Sequence, residues 1–102
     1  MKYLNINVEV LSWKKVNTQG VPPKPRYAHT MNYFDPIKSC IVYGGRDNHQ
    51  MSGIPFYADI GVLNMLNMNW IGVCTYGEKI EARCSHMAFL QGSKLILFGG
   101  IN

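Results

Sequence analysis

Hydrophobic residues along this chain fall in short bursts broken by glycine, asparagine and proline. The densest burst is Cys40-Ile41-Val42-Tyr43, closed by Gly44-Gly45, and Leu95-Ile96-Leu97-Phe98 repeats it before Gly99-Gly100. Apolar runs this short, each ended by a breaker, predict strands buried on both faces. A glycine pair permits positive φ, or an approach by neighbouring backbone that a Cβ would block. The same pattern predicts strands over about 3–8, 12–17, 27–33, 57–64, 69–74 and 85–90, besides 39–44 and 94–99. Asp35-Pro36 marks a reversal between two of them. No stretch sustains a 3.6-residue apolar period. Residues 63–68 come nearest, but their asparagines favour strand and turn.

The bursts repeat. A shift of 57 residues superposes Asn7 on Asn64, Trp13 on Trp70, Val16 on Val73 and Thr18 on Thr75. It also brings Gly20 onto Gly77, Arg26 onto Arg83 and His29 onto His86. The glycine pairs then align at a shift of 55, because the turn at 34–39 is longer than the one at 91–93. An ordered series of matches at one period marks a repeat architecture. Each unit holds four short strands and ends its second strand at a glycine pair, which is how a propeller blade reads in sequence.

Trp13-x6-Gly20, Pro23-x-Pro25-Arg26-x-x-His29 and Ile41-Val42-Tyr43-Gly44-Gly45 together resemble a kelch repeat. Trp70-x6-Gly77, Arg83-x-x-His86 and Leu97-Phe98-Gly99-Gly100 resemble the next one, with Lys79-Ile80-Glu81-Ala82 replacing the proline-rich stretch. The resemblance implies an all-β fold of antiparallel, four-stranded kelch-type blades in an incomplete β-propeller. Residues 1–18 then close a preceding blade, 26–75 form a complete one and 83–102 begin another. One whole blade with two halves cannot close a ring. The expectation is a fragment of a longer protein, completed by the parent chain's remaining blades or by self-association.

Composition adds less. The 102 residues are 47% hydrophobic and 12% aromatic, which fits a packed domain and excludes a disordered tail. No apolar run approaches bilayer-spanning length, and the first residues are too polar for a signal peptide. Cys40, Cys74 and Cys84 form neither an even framework nor a CxxC, so reduced thiols in a cytoplasmic protein are expected. The formal charge of +4 is spread without a run of five basic residues, which disfavours nucleic acid as a partner.

Candidate chemistry is sparse. No Ser/His/Asp order, paired carboxylates or phosphate-cradling glycine motif stands out, so no enzyme activity and no cofactor are expected. His29 and His86 lie a blade apart, too far to share an ion, so no metal site is expected. Trp13 and Trp70 read as core residues wedged between blades. In a four-stranded meander, the d-to-a connections (about 17–26 and 74–84) and the b-to-c connection (about 45–57) share one end of the sheet. Loops on a rigid scaffold are where binding concentrates. The candidate partner-binding set is Lys24, Arg26, Arg46, Asp47, His49, Met51, Phe56, Lys79 and Arg83. Its basic tilt suits an acidic peptide segment. By resemblance to the kelch pattern, Arg26 and Arg83 would also hydrogen-bond loop backbone at the blade's inner edge. The function expected is a non-catalytic protein-docking module or adaptor. The alternative is scaffold within a multidomain enzyme, such as a kelch-containing phosphatase, whose catalysis lies elsewhere.

Overall fold

The computed structural model describes residues 2–6, as backbone, together with 11–47 and 56–101. They form eight strands: β1 (Lys2–Ile6), β2 (Leu11–Lys15), β3 (Thr30–Phe34), β4 (Ser39–Tyr43), β5 (Ile60–Asn64), β6 (Asn69–Ile71), β7 (Met87–Gln91) and β8 (Lys94–Phe98). Sheets run β1-β2, β3-β4-β5-β6 and β7-β8, with every pairing antiparallel. This is one complete four-stranded meander between two half-sheets. The all-β, blade-like architecture expected from the repeat is therefore present. The helical alternative at 63–68 is replaced by the end of β5 and a turn. In that turn Asn64 Oδ1 accepts from Leu66 N–H and Asn67 Oδ1 from Asn69 N–H. Among the described residues no helix is long and apolar enough to cross a membrane.

The strands are shorter than the sequence pattern suggests, because backbone near the loops pairs across elements instead. Gln19 pairs with Asn69 and Trp70, and Tyr27 with Arg46. The Asp35-Pro36 reversal is a short 3-10 turn, Asp35–Ile37, closed by Lys38 in the left-handed region and a Lys38–Asp35 ion pair.

β4 is the buried centre. Cys40, Val42, Tyr43 and Leu63 opposite are almost without solvent contact, and Ser39 is fully buried. β8, its repeat counterpart, departs from the both-faces-buried expectation: its residues are half-buried or exposed, and Phe98 is 50% exposed. β4 is covered by β5 at its outer edge, whereas among the described residues β8 has only β7 beside it.

The tryptophans differ for the same reason. Trp70 is half-buried, its ring against Gly61 and near Pro23, and its Nε1–H donates to Thr18 Oγ1 at 3.2 Å. It sits beneath the incoming loop rather than as a wedge between blades. Trp13 is 69% exposed, so the core expectation fails there: no equivalent loop crosses it among the described residues. The β1–β2 register also slips by two. Leu4 faces Trp13, as Leu63 faces Trp70, although the shift of 57 would match Leu63 with Ile6. An even slip keeps each side chain on its own face.

The complete sheet and β7–β8 are joined by backbone beside Gly44-Gly45. Gly45 N–H donates to Arg83 C=O at 2.8 Å, and Ser85 N–H to Ala28 C=O at 2.9 Å. Ala28 and Ser85, 57 apart, both hold positive φ. Gly44 has φ +70°, and a Cβ there would lie 2.7 Å from Arg83 O and from His86 Cε1. Gly45 and Gly100 each meet the Cβ of their own unit's histidine, His29 and His86, at 2.9 Å. The first glycine thus admits the next unit, and the second admits the histidine of its own.

Substitution separates these roles. Gly44→Ala should destabilise the fold by at least about 2 kcal/mol, combining a left-handed Cβ with a backbone clash. Gly44→Val should be worse. Gly72→Ala, where nothing lies within 4 Å, should shift the denaturation midpoint little. Equal midpoints for the two alanine variants would contradict this packing.

Candidate docking face

The loops that leave the glycine pairs and those that enter β3 and β7 converge at one end of the sheet. Arg26 fastens them. Its guanidinium donates to Asp59 through Nη1 at 2.5 Å and Nη2 at 2.8 Å, and to Gly44 C=O at 3.0 Å, while Nε–H donates to Lys24 C=O at 3.1 Å. It also lies 4.2 Å from the centre of the Tyr57 ring. A bidentate, stacked guanidinium is the arrangement lysine cannot copy. The Arg26 side chain is only 4% exposed, so it belongs to the scaffold and leaves the candidate docking set.

Arg83 repeats the pattern at its own unit: Nε–H to Glu81 C=O at 3.4 Å, Nη1 to Gly99 C=O at 3.3 Å. The backbone-anchoring role implied for both arginines by the kelch resemblance is what the geometry shows. Arg46 plays a third part, its guanidinium 5.7 Å from the Tyr27 ring centre and 5.6 Å from that of Phe56. Its Nε is buried with no hydrogen-bond partner among the described residues. Asp47 accepts a hydrogen bond from Tyr57 Oη at 2.7 Å. Arg46, Asp47 and half-buried Phe56 are therefore each held by contacts where the chain enters and leaves the b–c connection. His49 and Met51 lie outside the described residues.

Lys24 and Lys79 are exposed. Lys79 lines an open cleft of about 590 Å³ between the 75–80 loop and the strand ends at Tyr43, Ala58 and Ile60. Tyr76, on the same loop, is fully exposed. Tyr43 supports the cleft from below, with its Oη–H donating to Glu81 C=O at 3.2 Å and its ring edge-on to His86 at 5.4 Å.

Both histidines are packed into the structure, His86 buried and His29 half-buried. His86 Nε2 shares a 2.8 Å hydrogen bond with Thr30 Oγ1, and burial, with Arg83 nearby, holds its pKa below the ordinary imidazole value. Burial and then Arg26 lower His29 in the same way. Burial raises the Cys40 thiol, which favours the unreactive protonated form.

Sequence reasoning missed Asp59, Tyr57, Tyr27, Tyr43 and Tyr76. The signal for Asp59 was indirect. A repeat-matched arginine near a buried sheet requires a counter-charge, but nothing in its neighbourhood shows that the carboxylate comes from 33 positions away.

The Arg26–Asp59 pair makes a pH prediction. The hydrogen bond from Arg26 holds the Asp59 carboxyl below the usual carboxylate range. A folded pKa depressed this way adds stability above the unfolded value, about 4, and that stability is lost as pH falls through the folded value. Asp59 is half exposed, which discounts the pair to about 1–2 kcal/mol. Asp59→Asn should therefore lower stability at pH 7 and converge on wild type in acid. A pH-independent difference in denaturation free energy would contradict it.

Comparison with known proteins agrees with the geometry. A family model described as the KLHDC2/KLHL20/DRC7 Kelch-repeats domain matches residues 2–102. Tip elongation aberrant protein 1 of Schizosaccharomyces pombe is 30% identical over 95 residues, covering 93% of this chain and 8% of that protein. Rab9 effector protein with kelch motifs of Xenopus laevis is 30% identical over 98 residues, covering 94% of this chain and 25% of that protein. Rho GTPase-activating protein gacHH of Dictyostelium discoideum is 30% identical over 79 residues, covering 78% of this chain and 5% of that protein. The chain thus spans a quarter or less of these relatives. Kelch repeats generally mediate protein–protein interaction. With the family model matched along nearly its whole length and the blade meander in place, this chain belongs to the kelch-repeat family.

Proposed function

We propose that this chain is a non-catalytic docking module of the cytoplasm, an adaptor-type portion of a kelch propeller that grips another protein through its loop face. Residues 1–18, 26–75 and 83–102 serve as the end of one blade, a whole blade and the start of another. The observation that carries the reading is the cleft of about 590 Å³ beside the pinned loops, with Lys79 and the fully exposed Tyr76 at its wall. An exposed tyrosine with a cation nearby suits protein recognition, where aromatic anchors dominate binding energy. Arg26, Arg46 and Arg83 hold the frame, leaving Lys24 and Lys79 as the exposed cations that favour an acidic segment.

A second reading draws support from the relatives. One carries the name of a Rho GTPase-activating protein, and another, 31% identical over 83 residues, that of a probable serine/threonine-protein kinase in Dictyostelium discoideum. Kelch repeats of this kind occur inside large multidomain proteins, so scaffold within an enzyme is the alternative role.

A fluorescein-labelled peptide alternating glutamate with leucine and tyrosine probes the acidic-segment reading by anisotropy. Lys24→Glu with Lys79→Glu should weaken its binding about tenfold, through lost attraction and new repulsion, with folding unchanged. Raising the salt should weaken wild-type binding as well. Equal affinity for wild type and the double variant would end the acidic-partner reading.

A further inference from the structure

The proline stretch that leads into β3 does more than the scaffold asks of it. In Val21-Pro22-Pro23-Lys24-Pro25-Arg26, three residues have φ fixed at about −65°, and three precede a proline, which biases them to extended backbone. Both restrictions favour the left-handed polyproline helix, with about three residues per turn. Exposure follows that period. Val21, Pro22, Lys24 and Pro25 are exposed, whereas Pro23 is half-buried and the Arg26 side chain is buried.

The inward ridge is fixed. Pro23 Cγ lies 3.2 Å from where a Cβ on Gly61 would stand, and Arg26 holds Asp59, Gly44 C=O and Lys24 C=O. Gln19 is bonded to the backbone of Met68 and Trp70 on one side of the stretch, and Tyr27 to Arg46 on the other. The stretch thus lies over the complete blade, whose four strands are all described. Anchoring does not need the prolines: Arg83 takes the matching carbonyls, of Glu81 and Gly99, after Lys79-Ile80-Glu81-Ala82. What the prolines add is two outward ridges, Val21 with Lys24 and Pro22 with Pro25, held in one conformation before any partner arrives. Two adjacent ridges of an x-Pro-x-x-Pro segment are what an aromatic groove of the SH3 type takes, and a preformed segment loses little entropy on binding.

We propose that residues 21–25 are a built-in polyproline ligand for a protein carrying an SH3-type groove. Val21-Pro22 and Lys24-Pro25 enter the two aromatic-lined slots, and the third ridge stays on the blade. The Lys24 ammonium meets acidic side chains at the groove's rim. This goes beyond the acidic-segment reading: it uses another part of the loop face, shares only Lys24 with that reading and leaves the cleft beside Tyr76 and Lys79 open.

The test titrates a panel of purified SH3 domains with acidic rims into the isotope-labelled chain and follows it by NMR. At least one domain should shift the Val21 and Lys24 amides and the ring protons of Pro22 and Pro25. Pro22→Ala with Pro25→Ala should weaken that domain at least about tenfold, with amide dispersion elsewhere unchanged because both rings are exposed. Pro23→Ala loosens the loop as much per residue but removes no outward ring, and should cost less than about threefold. Lys79→Glu should leave SH3 binding within about twofold, and the double proline variant should bind the glutamate-leucine-tyrosine peptide as wild type does, so the two readings fail separately. A panel in which no domain binds would overturn the proposal, and the prolines would then serve only to stiffen the loop. So would equal affinity for wild type and the double variant, or an equal loss on Pro23→Ala.

Discussion

The contact on which the fold depends is the seating of one repeat unit on the glycine pair of the one before. Gly44 accepts the edge of the His86 ring and the Arg83 carbonyl in space that any side chain would fill, and Gly45 N–H bonds to that carbonyl. Once this seat is made, the neighbouring strands β3 and β7 fall into place. Thr30 meets His86, and Asn32 Nδ2–H donates to Ala88 C=O at 3.3 Å. Backbone contacts that exclude a Cβ are specific in a way that apolar packing is not, because no rotamer change can relieve a misfit.

The arginines extend this logic to the surface. A loop carries unpaired backbone groups, and it is held only where something satisfies them. Arg26 and Arg83 each take a carbonyl of their own loop and the carbonyl of a glycine that ends the second strand. Arg46 lies instead against two aromatic faces, Tyr27 and Phe56. The loop face is therefore a frame braced by arginines, and most of its positive charge is structural. Two exposed lysines and the cleft beside Tyr76 are parts of this face not engaged in that frame.

Much of the architecture was legible in the chain itself. Glycine pairs, tryptophans, histidines and arginines recur in order, and the environment repeats where Gly45 and Gly100 meet their histidines and where Arg26 and Arg83 take loop and glycine carbonyls, but not between tightly packed Gly44 and open Gly99. The loop-face assignment followed from strand alternation alone. Trp13 was not legible, because burial of a repeat residue depends on a neighbour that sequence position does not supply. The same holds for β8, whose composition matches β4 but whose outer edge is open. The paired left-handed residues Ala28 and Ser85 left no compositional mark, since neither is glycine. The docking set mixed frame with surface because an arginine's partner, here Asp59 across the sheet, is invisible in local sequence.

Successive units stack through the glycine seat. Nuclear Overhauser contacts at His86 measure it directly. Strong cross-peaks are expected from the imidazole Hε1 of His86 to the α-protons of Gly44, and from its ring protons to the Tyr43 ring. A spectrum in which Hε1 of His86 contacts only residues of its own unit, 83–101, would contradict it.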